Sequence, residues 1–234
     1  MEQLTHVTQT IALTMGTAWA SGLNLYATIL VLGLMGNSGN MVLPESLHIV
    51  QEPLVIGAAA LMYAVEFFAD KFPGVDTGWD AIHTFIRIPA GAALAAAATG
   101  QTDPAISLAA AIVGGSLTAA THATKAGTRA VVNTSPEPFS NWALSIGEDV
   151  AVIGGLWTAL NHPVLFLCAL ALFIVLLIWL LPKLWRGIKR IFATLGRWLG
   201  LGKQAPAQAD LPGGPPPAPD INAAQANQTK GDES

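Results

Sequence analysis

Eleven ionisable side chains fall inside or at the ends of apolar segments, and their spacing sorts them into faces. Asp76, Asp80, His83 and Arg87 follow i, i+4, i+7 and i+11, which places all four on one side of a helix. Thr118, His122, Lys125 and Arg129 repeat that spacing as a mainly basic stripe, and Glu66 and Asp70 at i and i+4 make an acidic one. Glu148 and Asp149 lie near the middle of an apolar run over 139–160, close to where a bilayer midplane would fall. A lone acid at that depth costs about 3 kcal/mol on insertion scales, so each must be paired, hydrated or protonated. Arg87, Lys125 and Arg129 are the natural counter-charges, and a carboxyl in such a setting is suited to carrying a proton. The competing reading is a set of structural ion pairs and helix-end caps, which would account for Asp70, Lys71, Asp76 and Arg129. His83 and His122 suit proton relay or plain hydrogen bonding. With no regular third ligand they do not make a metal site, and neither metal nor cofactor is expected.

These faces need membrane helices to hold them. The 234 residues are 52% hydrophobic and only 11% charged, with mean hydropathy +0.50, where soluble domains carry about 25% charge. Six apolar segments are expected, at 9–35, 53–69, 79–100, 104–127, 139–160 and 164–181. The last has eighteen residues without a charge and is long enough to cross hydrocarbon. The first is interrupted at Ser21-Gly22-Leu23-Asn24, which predicts two half-helices or a kink. A second polar break, Ser135 to Asn141 with Ser140 and Asn141 at its end, should start a helix. Broken helices at matching places in two halves point toward a transporter-like site. The Ala- and Gly-rich third and fourth segments predict close helix approach.

Charge is also sorted along the chain. Residues 1–182 carry four Lys/Arg and eleven Asp/Glu, whereas 183–203 carry six Lys/Arg and no acid. The basic stretch 183–202 has one apolar stripe with two Trp, which predicts an amphipathic helix on anionic headgroups. The positive-inside rule places it in the cytoplasm. With six crossings the N-terminus is cytoplasmic too, and the start of the chain lacks the basic region of a cleaved signal. Residues 203–234, rich in Pro, Ala and Gln, are expected to be disordered. Cys168 stands alone in an apolar run, which excludes an internal disulfide. No phosphate-binding loop, dinucleotide fingerprint, nucleophile elbow or zinc-protease helix is present, so soluble catalytic classes lack support.

Four strings resemble one family: Ala20-Ser21-Gly22-Leu23-Asn24-Leu25-Tyr26, Val65-Glu66-Phe67-Phe68-Ala69-Asp70-Lys71-Phe72-Pro73-Gly74-Val75-Asp76, His122-Ala123-Thr124-Lys125-Ala126-Gly127, and Asn133 through Trp142. They are similar to bacterial inner-membrane proteins grouped as a domain of unknown function of the DUF4126 type. The resemblance spans about residues 15–165 and leaves the last span, the basic helix and the tail outside. It implies a polytopic protein of the bacterial inner membrane, and carries no activity across.

The expected fold is therefore an all-α polytopic bundle with room for re-entrant or broken helices (1–182), then the amphipathic helix and the tail. The preferred function is a small transporter or channel-like protein whose charged site handles protons, ions or a small anionic solute, with the bilayer and that solute as partners. One alternative is a membrane enzyme or binder acting on a lipid phosphate, using His83 or His122 as acid or base and the basic residues as a clamp. Another is a structural or regulatory membrane component. Nucleic acid is not an expected partner, and homo-oligomerisation is left open.

Overall fold

The structure, a computed structural model, describes residues 1–72, 75–133 and 138–198; the side chains at 76, 77, 138, 141, 184, 187, 188 and 190–198 are not described. The described residues form helices α1 (Glu2–Leu23), α2 (Leu25–Asn37), a 3-10 helix (Glu45–Gln51), α3 (Pro53–Ala69), α4 (Val75–Ala98), α5 (Pro104–Val132), α6 (Pro138–Asn161) and α7 (Pro163–Trp198). The chain divides into two units, Met1–Ala193 and Thr194–Ser234, and of the second only 194–198 are described, as helix.

Four helical stretches are long and apolar enough to cross a membrane: Gly78–Ala98, Pro104–Val132, Trp142–Asn161 and Pro163–Lys183. A fifth is added if the 3-10 helix and α3, bent by 63°, count as one span. The chain is an integral membrane protein, but the expected six apolar segments do not become six such spans. The first segment is the reason. Helix α1, which starts ahead of it, carries Glu2, Gln3, His6 and Gln9 in its opening turns, and at Asn24 the backbone leaves the helix (φ −150°, ψ 103°). The remaining α2 has 13 residues, roughly 20 Å, against about 30 Å of hydrocarbon.

The chain turns back at that break. Gly33 and Gly36 of α2 pack against Val50 and Gln51, and nearby Ser46 donates a 2.5 Å hydrogen bond to Ala97 O at the far end of α4. That is the end at which α1 begins, since Leu13, Leu43, Pro44 and Ala98 line one cavity there. Asn24 is thus the inner tip of an α1–α2 hairpin. Its side chain makes the reversal, with Oδ1 accepting from Ala27 N at 2.9 Å as the N-cap of α2.

Small residues bring the central helices together. A Cβ placed on Gly91 would stand 2.3 Å from Thr118 Oγ1, one on Gly114 2.3 Å from Ala95 Cβ, and one on Gly22 2.6 Å from Thr121 Cβ. Thr118 Oγ1 uses this proximity to donate to Ala18 O (2.8 Å), tying α5 to α1. Helix α7 touches this core through Phe166 and Phe173, which meet Trp19 edge-on at 6.1 Å each.

The second polar break starts a helix as expected: α6 runs unbroken from Pro138 to Asn161, while 134–137 lie outside the described residues. The last candidate span ends at Lys183, and α7 itself continues through Pro182 to Trp198. Pro182 lacks only its own N–H, and its carbonyl still accepts from Arg186 Nε (3.2 Å). Lys183 Nζ lies 2.9 Å from the centre of the Trp179 ring, bridging the expected boundary. The tail 203–234 and the face that the amphipathic helix presents from residue 190 onward lie outside the described residues and side chains. Cys168 is exposed on α7.

Candidate functional site

The tip of the α1–α2 hairpin, the C-terminal halves of α3 and α5 and the N-terminal halves of α4 and α6 meet at one level and enclose a charged network. Its centre is Lys125, fully enclosed on α5. Its ammonium donates to Leu23 O (2.9 Å) and Glu66 Oε1 (3.1 Å) and stands 3.3 Å from Glu148, 3.5 Å from Asp70 and 4.0 Å from Asp80. Arg87, 0% exposed, bonds Glu66 directly and Asp80 at 3.2 Å. Arg129 binds Asp70 at 2.8 Å and Glu148 at 2.5 Å, and donates to the Asp70 carbonyl at 3.1 Å.

The helix break explains why the backbone takes part. In an unbroken helix Leu23 O would accept from Ala27 N, but Asn24 Oδ1 has claimed that donor, so the carbonyl is free for Lys125. The negative end of the α1 dipole thereby faces an ammonium. At the N-terminus of α2, Asn24 Nδ2 donates to Asp149 Oδ1 (3.3 Å), and Tyr63 OH donates to Asp149 Oδ2 (2.9 Å). Asp149 is held by neutral donors, whereas its neighbour Glu148 is held by Arg129 and Lys125; adjacent helical residues point about 100° apart.

The two histidines carry opposite tautomers. Arg87 Nη1 donates to His122 Nδ1 (3.2 Å), so Nδ1 is an acceptor, and Nε2–H faces Thr84 Oγ1 (2.7 Å), which itself donates to Asp80 O. His83 Nδ1 meets the Trp79 carbonyl (2.9 Å), which only accepts, so the proton is on Nδ1 and Nε2 accepts from Tyr26 OH (3.1 Å). His83 stacks on Trp79 at 4.1 Å. It sits beside the ion pairs; His122 is wired into them.

Of the residues singled out from the sequence, Glu66, Asp70, Asp80, Arg87, His122, Lys125, Arg129, Glu148, Asp149 and Asn24 come together here. Ser21 is buried on α1 with its hydroxyl unpartnered among the described residues, and Ser140 joins no hydrogen bond or ion pair of the network among them. The side chains of Asp76 and Asn141 lie outside those described. Tyr26, Tyr63, Thr84 and the Leu23 carbonyl were not expected. Tyr63 stands one turn before Glu66 on the same face, which is a usable signal; a carbonyl freed by a cap leaves no sequence mark.

The network holds five carboxylates and three cations among its described side chains. Glu66 Oε2, Asp70 Oδ1 and Asp80 Oδ2 are buried without a hydrogen-bond partner among the described residues. A cavity of about 660 Å³ lies instead at the opposite end of the helices, bordered by Gln9, Thr10, Asn40, Gln101, Thr102 and Asn161, and contains none of these charges.

No curated protein and no solved structure matches this chain. A family model described as Domain of unknown function (DUF4126) matches residues 11–183, a longer stretch than the 15–165 expected and one that takes in the last span. The chain belongs to that family.

Proposed function

We propose that this chain is a small proton-handling membrane transport protein in which Asp149 and Glu148 exchange protons with a buried carboxylate–cation network. The observation that carries this reading is the imbalance of the network: five carboxylates against three cations, still an excess of acid when the nearby Lys71 is added, with three buried carboxylate oxygens lacking a hydrogen-bond partner among the described residues. An excess of buried carboxylate over cation is costly enough that protons or water must complete the site. The hairpin tip at Asn24 supports the same reading, since the break supplies a backbone carbonyl to a cation and the side-chain amide of the α2 N-cap to an anion, and broken helices are where membrane transport proteins build ion sites. Glu148 and Asp149, partly exposed on α6, are the members placed to exchange with solvent.

Arg87, Lys125 and Arg129 already hold carboxylates, which weighs against a free phosphate clamp and so against chemistry on a lipid phosphate. The exposed Lys183, Arg186 and Lys189 at the end of α7 suit anionic headgroups on the cytoplasmic side of a bacterial inner membrane. The test is direct. Purified protein in liposomes holding a pH-sensitive dye should dissipate an imposed pH gradient faster than protein-free liposomes; equal rates contradict the proposal.

A further inference from the structure

A second set of buried polar groups lies outside the ion pairs. Thr10, Thr14, Thr17 and Ser21 follow i, i+4, i+7 and i+11 along α1, the spacing that also marks the charged faces, so four hydroxyls share one side of the helix over about 16 Å. Thr14 is 4% exposed, and Thr17 and Ser21 are fully buried. The ordinary partner of a helical hydroxyl is the carbonyl one turn back, and Thr5, Thr8, Thr10, Thr17 and Thr28 each donate to it. Thr14 and Ser21 do not. Their hydroxyls are unpartnered among the described residues, as is that of the fully buried Thr121 on α5. A buried hydroxyl without a hydrogen bond is costly, and water is the partner that satisfies one inside a helical bundle.

The stripe has a defined start and finish. At its outer end Thr10 and Leu13 line the cavity of about 660 Å³, whose wall contains no Asp, Glu, Lys or Arg, and Thr14 stands one turn further in. At its inner end Thr121 lies against α1, since a Cβ on Gly22 would stand 2.6 Å from the Thr121 Cβ. Thr121 precedes Lys125 by one turn, and Ser21 is two residues from Leu23, whose carbonyl accepts from Lys125. The hydroxyls therefore run from the cavity at one end of the helices to the ion-pair network at the other. The network meets solvent on its own side through the partly exposed Glu148 and Asp149.

We propose that the hydroxyl stripe of α1, continued by Thr121, is a hydrated proton path that joins the cavity to the network. Side chains at i, i+3 and i+4 stand about 5–6 Å apart, a gap that one water spans with a hydrogen bond at each end. Thr10 and Thr17, which donate to their own helix, keep oxygen lone pairs to accept from such a water. Each hydroxyl takes a proton on its oxygen from one water and releases its own to the next, so the path is unchanged after each passage. The proton ends on a network carboxylate. Because the stripe offers hydroxyls and no charged side chain, it passes protons and gives a metal cation or an anion no counter-charge along its length.

This inference rests on the proton-transport reading, and two measurements separate their failures. The first needs no flux. In water-edited solid-state NMR of the threonine-labelled full-length protein in lipid bilayers, the Thr14 and Thr121 side chains, assigned with Thr14→Val and Thr121→Val, should gain magnetisation from water as early as the exposed Thr5 does. Early transfer at Thr5 and at neither buried threonine overturns the proposal, whatever the flux. Hydrated hydroxyls in a wild type that moves no protons leave the water path standing and overturn the transport reading alone. The second measurement uses dye-loaded liposomes. Thr14→Val/Ser21→Ala removes two unpartnered hydroxyls and should melt no lower than the wild type by more than a few degrees, yet dissipate a pH gradient at least about tenfold more slowly. Thr14→Ser, which keeps the hydroxyl, and Thr5→Val, which lies outside the stripe, should conduct like the wild type. Undiminished flux through folded Thr14→Val/Ser21→Ala overturns the proposal, and the NMR measurement on the wild type decides it if that variant does not fold.

Discussion

Leu23 O accepts a 2.9 Å hydrogen bond from Lys125 Nζ, 102 residues away in the chain, and it is free to do so because Asn24 caps Ala27 N. A local backbone event in the first segment therefore fixes one partner of the most enclosed cation in the fourth. Asn24 holds this arrangement twice, through the cap and through Asp149.

Asn24→Ala should lower stability by about 1–2 kcal/mol from loss of the cap alone. Asn24→Asp keeps an acceptor for Ala27 N but sets a second anion against Asp149. It should melt closer to wild type than Asn24→Ala at acidic pH and lose that advantage at neutral pH, as thermal melts of the detergent-solubilised protein would show.

Arg129 is held between Asp70 and Glu148. Removing one partner of a buried ion pair costs about 3–5 kcal/mol, so Arg129→Gln should fold poorly. Arg129→Gln/Asp70→Asn, which removes the facing anion as well, should recover most of the folded yield by size-exclusion chromatography.

The glycines divide into two kinds. Gly114→Ala drives a methyl to 2.3 Å from Ala95 Cβ and should cost about 1–3 kcal/mol by overpacking. Gly57→Ala meets nothing within 4 Å on α3 and should be neutral or stabilising by up to about 1 kcal/mol through helix propensity. Melting temperatures of the two variants should move in opposite directions.

The histidine tautomers can be read without mutation. Nitrogen-15 spectra of histidine-labelled protein at neutral pH should show one buried ring with its proton on Nε2, His122, and another with its proton on Nδ1, His83. His122→Ala should remove the first signal alone.

Charge spacing was the strongest clue to this site. The period of the Asp80–Arg87 and His122–Arg129 stripes puts those side chains on facing helix surfaces, and the only requirement beyond helicity was that the helices be neighbours. Gly91, Gly114 and Gly115 made that neighbourhood readable as well. What escaped has a physical cause in each instance. His83 lies at the edge of its stripe and rotates toward Tyr26 and Trp79. Glu148 and Asp149, adjacent in sequence, diverge around α6 to different partners. The hairpin could not be told from a kinked span, because hydropathy records that a helix breaks at Asn24 and not which way the chain leaves.

The measurement that bears most directly on the central claim pairs proton flux with stability in one variant. Asp149→Asn keeps an oxygen for Tyr63 OH and removes the charge, so its melting temperature should stay within a few degrees of the wild type. Reconstituted into dye-loaded liposomes, it should dissipate a pH gradient no faster than protein-free liposomes. A folded Asp149→Asn with undiminished flux would contradict the account and leave the buried charges as structural ion pairs.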